Sequence, residues 1–143
     1  MGPRFVAFGF AMIRPMQNAL LLIAHGSRRT QSNDEIRALA RQVGERAGTA
    51  FERVDCAFLE LAEPSIGGGI ARLAEAGAQH VLVLPYFLSD GRHVHEDIPA
   101  QVDAARQAHP HVDIDIAPYV GTAPAMPELL LSVAGHADGT AAQ

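Results

Sequence analysis

A chain of 143 residues is one domain's worth, and at 48% hydrophobic and 19% charged it has the make-up of a water-soluble globular protein able to bury a core. Its formal net charge of −5 argues against a nucleic-acid partner, and all eleven basic residues are arginine, which excludes chemistry that needs a lysine, such as Schiff bases and P-loops. A single cysteine, Cys56, excludes an internal disulfide and a Cys-rich zinc site, and no apolar run reaches the roughly 18 residues of a bilayer span, so the expected setting is cytoplasmic.

The first 17 residues carry an apolar patch, Val6 to Ile13, between Arg4 and Arg14. Pro15-Met16-Gln17 is a poor signal-peptidase site, so residues 1–17 are read as an extension or a misassigned start, with Met12 or Met16 as initiator. The domain proper is expected over residues 18–135. Ala19 to Ala24 (ALLLIA) is a continuous apolar run, the mark of a buried strand, and it delivers His25-Gly26-Ser27-Arg28-Arg29. Ser32 or Asn33 is expected to cap the next helix, with Asp34 and Glu35 in its first turn, Ile36, Leu39, Ala40 and Val43 on one face, and an end near Gly48.

Val54 to Leu61 reads as a second strand that closes on Glu60, and Pro64 suits the first turn of the helix that follows, which stops at Gly77. Gly67-Gly68-Gly69 inside that helix is unexpected, because each glycine costs about 1 kcal/mol against alanine. Plain tolerance and close approach to a neighbour or a flat ligand are both open. His80 to Leu84 is the third strand, buried on both faces and stopped by Pro85; beyond it Gly91 is expected to take an unusual backbone angle. Pro99, which a helix interior would not accept, sets the third helix to start near Asp97. Val112 to Ala117 alternates apolar and acidic, as an edge strand does, and Pro127 starts a last short helix; residues 136–143 are expected to be a disordered tail.

The order β-α-β-α-β-α-β-α with short connections predicts an α/β single domain, an open and mostly parallel four-stranded sheet with helices on both faces. In such a sheet the C-terminal ends of the strands share one edge, where ligands bind. His25, Glu60 and His93 all fall there, brought together by topology rather than by neighbourhood. Singly, each has a plainer reading as a loop histidine or a solvated carboxylate. Together, two imidazoles and a carboxylate suit Co²⁺, Ni²⁺, Fe²⁺ or Zn²⁺ with positions left open for a substrate. His80, His109, His111 and His136 read as surface residues. There is no G-x-S-x-G elbow and no G-x-G-x-x-G, so hydrolase and dinucleotide readings lack support.

LLIAHGSR, AFLELAEPSI and LPYFLSDGRHVHEDIP together resemble the three signatures of the short CbiX family, the sirohydrochlorin metal chelatases related to class II chelatases. The similarity runs from about Leu20 to Tyr119. It implies a chelatase/flavodoxin-like fold and a lyase that inserts Co²⁺, or Fe²⁺ (with Ni²⁺ also open), into sirohydrochlorin without ATP, in cobalamin or sirohaem biosynthesis. By that resemblance His25 and His93 match the metal-binding and catalytic histidines and Glu60 the acidic residue joining them. His95 falls at a variable position. No cofactor beyond the metal substrate is implied. Sirohydrochlorin bears eight carboxylates, for which Ser27, Arg28, Arg29 and Arg92 are the expected contacts. Because long class II chelatases hold two such domains around one cleft, a homodimer is expected. A non-catalytic carrier of metal or tetrapyrrole on the same scaffold, or a paralogue acting on another tetrapyrrole, stands as the alternative.

Overall fold

The structure is a computed structural model and describes residues 6–8, 11–13 and 17–137. Strands β1 (Val6–Phe8) and β2 (Ala11–Ile13) pair antiparallel in a small sheet of their own. The main sheet is built from β3 (Asn18–Ala24), β4 (Arg53–Phe58), β5 (His80–Pro85) and β6 (Asp113–Ile116), in the order β4-β3-β5-β6 and parallel throughout. Helices α1 (Thr30–Arg46), α2 (Ile66–Glu75) and α3 (Ile98–Ala108) make the crossovers, and α4 (Met126–Ala137) ends the described chain. No helix among the described residues is long and apolar enough to cross a membrane. Of the expected tail, His136 and Ala137 continue α4, and residues 138–143 lie outside the described residues.

Each crossover brings an apolar helix face onto the sheet, and the two faces are covered unequally. On one face Ile66, Ile70 and Leu73 of α2 and Ile98 and Val102 of α3 close over Leu21, Ile23, Val81, Val83 and Ile114, all sealed from water. Each such side chain contributes about 1.5–3 kcal/mol of burial. On the other face α1 sets Ala40, with Ile36, Leu39 and Val43, against Leu20, Leu22 and Phe58. Leu82 and Leu84 of β5 are only half-buried there, so the expectation of a third strand equally buried on both faces holds for one face alone. Most large apolar residues of α4 are in the open: Leu129, Leu130, Leu131 and Val133 are 53–70% exposed.

Several local expectations are corrected. Helix α1 starts at Thr30, and Asn33, instead of capping it, turns inward: its Oδ1 accepts from Ser27 N and its Nδ2 donates to Ser27 O. A buried amide that satisfies a loop backbone outweighs the same amide spent on a cap. Strand β4 ends at Phe58, before Glu60, since Phe58 N already donates to Pro64 O. Pro64 precedes α2 in a cis peptide, and Ser65 is the cap, its Oγ accepting from Gly68 N. Within the glycine triplet Gly69 answers to neighbours on the sheet, and Gly68 to the capping Ser65, whose Oγ a Cβ would meet at 3.2 Å. A Cβ on Gly69 would come within 3.1 Å of Ala57 and 3.3 Å of Leu21, whereas Gly67 faces open space. Gly91 takes no left-handed backbone angle; among the described residues the positive φ values belong to Leu61, Gly26, Gly48 and Gly77.

The largest local departure surrounds Pro99. It is the second residue of α3, as expected, but winding begins a turn earlier, in a π turn over His93–Asp97 in which Ile98 N donates to His93 O. Proline has no N–H to give back to the preceding turn, and its ring crowds the carbonyl there. The wider π winding absorbs that crowding, and such turns gather at functional sites.

Candidate active site

Three loops at the C-terminal edge of the sheet build the site. Register places Ala24 beside Phe58, and Ile23 beside Pro85, so the segments leaving β3, β4 and β5 emerge side by side. His25 and Glu60 are then fastened by backbone and side chain together. Glu60 N donates to His25 O at 3.0 Å, and His25 Nε2 meets Glu60 Oε1 at 2.9 Å. Between them Gly26 lies at φ +95°, and a Cβ on it would run into the Glu60 carbonyl. Only glycine lets these two loops approach so closely.

His93 arrives from the third loop on the π turn. Its Nδ1 lies 2.7 Å from Asp97 Oδ2, its ring centre 4.8 Å from that of His25, and Phe87 stands 6.5 Å away. With the Nδ1 proton donated to Asp97, Nε2 is left as a lone pair able to take a proton or bind an ion. Asp97, passed over as a site residue in the sequence, is thus the partner that fixes the ring. The four-residue spacing His93–Asp97 on a helical segment was the available signal. The result is two imidazole–carboxylate pairs side by side, each member about half exposed.

A recess of about 240 Å³ opens between Glu60, His93 and Asp97, with Leu59, Ala100 and Gln101 as its other walls. It is large enough for an ion with its water or for a single carboxylate arm. Apolar side chains of the same loops stand out into solvent: Leu61, Tyr86 and Leu88 are 53%, 41% and 72% exposed. Leu61 holds φ +67°, a costly angle for leucine. A flat apolar ligand would cover these groups.

The remaining sequence candidates are placed as follows. Ser27 is occupied with structure, its N–H and C=O on Asn33 and its Oγ accepting from Arg29 N. Arg28 has no partner among the described residues. The Arg29 guanidinium reaches Gln31 at 3.5 Å, and Arg92 reaches Glu96 at 3.9 Å, both exposed and weakly held. His95 is 3.8 Å from Asp90 and three-quarters exposed. Among the described residues no three His, Cys, Asp or Glu side chains stand ready as a metal cage. His25, Glu60 and His93 are brought together, but with the Glu60 carboxylate turned onto His25.

Known proteins resemble this chain in sequence and in fold. The CbiX family model matches residues 19–137. The chain is 38% identical over 91 residues to the chloroplastic sirohydrochlorin ferrochelatase of Arabidopsis thaliana, covering 63% of this chain and 40% of that protein. It is 37% identical over 81 residues to the sirohydrochlorin cobaltochelatase of Methanopyrus kandleri, covering 57% of this chain and 55% of that one. The matched segment thus spans about half the length of these curated relatives. Among solved structures, the sirohydrochlorin chelatase SirB of Bacillus subtilis in complex with cobalt superposes with a TM-score of 0.75 at 27% identity, over 87% of this chain and 51% of that chain. A CbiX protein from Marinobacter aquaeolei gives 0.70 at 27% identity, over 86% of this chain and 98% of that one.

Proposed function

The chain belongs to the CbiX family, and from that premise we propose that it is a sirohydrochlorin chelatase, inserting Co²⁺ or Fe²⁺ into sirohydrochlorin without ATP. The observation that carries the reading is the meeting of His25 and His93, from different strands, each with its own carboxylate, at an edge rimmed by exposed apolar side chains. Insertion removes two pyrrole protons, strips water from an ion and exchanges it into a ring. The lone pair of His93, oriented by Asp97, accepts one proton, and His25 and Glu60, once their bond to each other opens, hold the ion, neutralise its charge and take the second proton onward to solvent. Between them His25, Glu60 and His93 thus supply the metal contacts and the catalytic groups. The macrocycle lies against Leu61, Tyr86 and Leu88, with its carboxylates toward Arg28, Arg29 and Arg92. In this reading Ser27 shapes the loop beneath them. The metal is substrate, the setting is the cytoplasm, and the product enters cobalamin or sirohaem synthesis.

The active form is a homodimer over residues 18–135. One copy offers half of a two-walled cleft, and the exposed Leu129, Leu130, Leu131 and Val133 supply apolar surface for a second. Light scattering should give twice the chain mass, and Leu130→Glu with Val133→Glu should give the monomer; a wild-type monomer at working concentration removes the dimer. The activity is tested anaerobically by following the visible spectrum of sirohydrochlorin with Co²⁺, Fe²⁺ or Ni²⁺. Acceleration over the spontaneous rate, lost in His25→Ala, is the expected result. Tight binding of tetrapyrrole or metal with no acceleration would leave a carrier instead.

A further inference from the structure

Away from the histidine cleft, the outer side of β4 carries an unusual concentration of charge. β4 is an edge strand, with β3 as its only strand neighbour in the main sheet. Beside it lies a recess of about 290 Å³ rimmed by Arg37 and Arg41 of α1, Arg53 of β4 and Arg72 of α2. Four of the chain's eleven basic residues, from three elements, thus surround one hollow on a protein of net charge −5. None of the histidine-cleft residues lines it.

The local carboxylates account for only part of that charge. Arg53 is paired with Asp55 and Arg37 with Asp34 at 2.8 Å, Arg37 also donating to Glu63 O and lying over the Phe58 ring. Arg41 and Arg72 are exposed and have no partner among the described residues. The floor is small and apolar, formed in part by the buried Ala40 and Cys56. Burial pushes the Cys56 thiol up, Arg37 pulls it down, and Asp55 and Arg41 act on it in opposite directions, so charges of both signs are felt at the floor. Asp55 is the one carboxylate lining the recess, so the four guanidinium groups stay in excess there and repel unless a further anion lies among them, and planar guanidinium forks suit two-oxygen groups.

We infer that this recess is a second ligand site, which binds a compact multivalent oxyanion, a polycarboxylate or a polyphosphate, independently of the histidine cleft. Arg41 and Arg72 grip it from opposite faces of the sheet, Arg53 closes the end, and Arg37 joins the site to the loop that carries Glu60. The size of the recess rules in small anions and rules out a macrocycle.

The test is isothermal titration of the full, metal-free chain at low ionic strength with citrate and, separately, with inorganic pyrophosphate. Saturable one-site binding of either is expected, and which of the two binds identifies the anion class. Arg41→Gln with Arg72→Gln should weaken it about tenfold or more, the worth of at least one charge-assisted hydrogen bond. Both residues are exposed, so the variant should keep its melting temperature. Arg28→Gln with Arg29→Gln and Arg92→Gln, at the other site, should leave the binding unchanged. No saturable binding by either anion, binding indifferent to Arg41 and Arg72, or loss confined to the Arg28, Arg29 and Arg92 variant would each overturn the inference. None of these outcomes bears on chelatase activity, which the insertion assay reads separately.

Discussion

The two ends of the sheet carry the same pair chemistry with different standing. At the N-terminal end of β5, His80 Nε2 lies 2.9 Å from Asp115 Oδ2, as close as His25 lies to Glu60 at the other end. His80 and Asp115 sit on adjacent strands, over the half of the sheet that α1 leaves uncovered, and no second imidazole joins them among the described residues. At the C-terminal end a second histidine stands 4.8 Å from the first, and a recess lies beside them. A histidine–carboxylate pair is therefore common surface electrostatics; convergence of two pairs from separate loops makes a site.

That contrast can be broken most sharply by truncation. His25→Ala or His93→Ala should lower the rate of metal insertion by about 100-fold or more, the range of a lost acid–base group. His80→Ala should leave the rate within about twofold, since its exposed pair contributes little. Equal losses at His80 and His93 would erase the distinction between the two ends.

Gly26→Ala attacks convergence without touching a titrating group. The added methyl meets the Glu60 carbonyl, so the loops must part. A stability loss of about 1–3 kcal/mol, seen in denaturant melts, should come with a fall in insertion rate. The matching change at Gly67, where nothing lies near, should raise stability by about 1 kcal/mol as an ordinary helix glycine-to-alanine exchange.

A smaller effect sharpens the role of Asp97. Asp97→Asn keeps the size but loses the charge that holds His93 Nδ1–H, so insertion should slow by about tenfold with substrate KM little changed. A ¹⁵N spectrum of His93 should show its tautomer mixture shift; an unchanged spectrum would make Asp97 a bystander. The smallest expected effect is at Cys56. Its thiol is pushed up by burial, so the neutral form prevails in the folded chain at pH 8, and thiol reagents should modify it slowly until urea opens the core.

The frame was legible because its signals are long and one-directional. ALLLIA can satisfy its apolar run only inside a sheet covered on both faces, VLVL only with one face covered, and once the strands alternate with helices the C-terminal ends must share an edge. His25, Glu60 and His93 could therefore be grouped before any coordinates. What stayed hidden depends on side chains choosing among equals. Asn33 could cap a helix or brace a loop, and only the position of Ser27 decides between them. Gly91 looked like the residue at a strained angle, yet Leu61 carries it. The last helix was legible from Pro127 onward, but sequence says nothing about whether a partner element covers its leucines, which stand exposed.

The π turn at His93–Asp97 also separates two jobs that one helix would otherwise perform in lockstep. In a regular helix each residue advances the direction of its side chain by about 100°. The core stripe Ile98, Val102 and Ala105 would then dictate where every upstream side chain aims. The surplus residue in the wide turn acts as a phase adjuster. It lets the stripe keep its seat on the sheet while the imidazole is dialled independently toward His25. The segment can thus accept exchanges of side chain at Val94 or His95 yet not a change in their number. Removing one residue there would leave a seated helix and a histidine looking the wrong way.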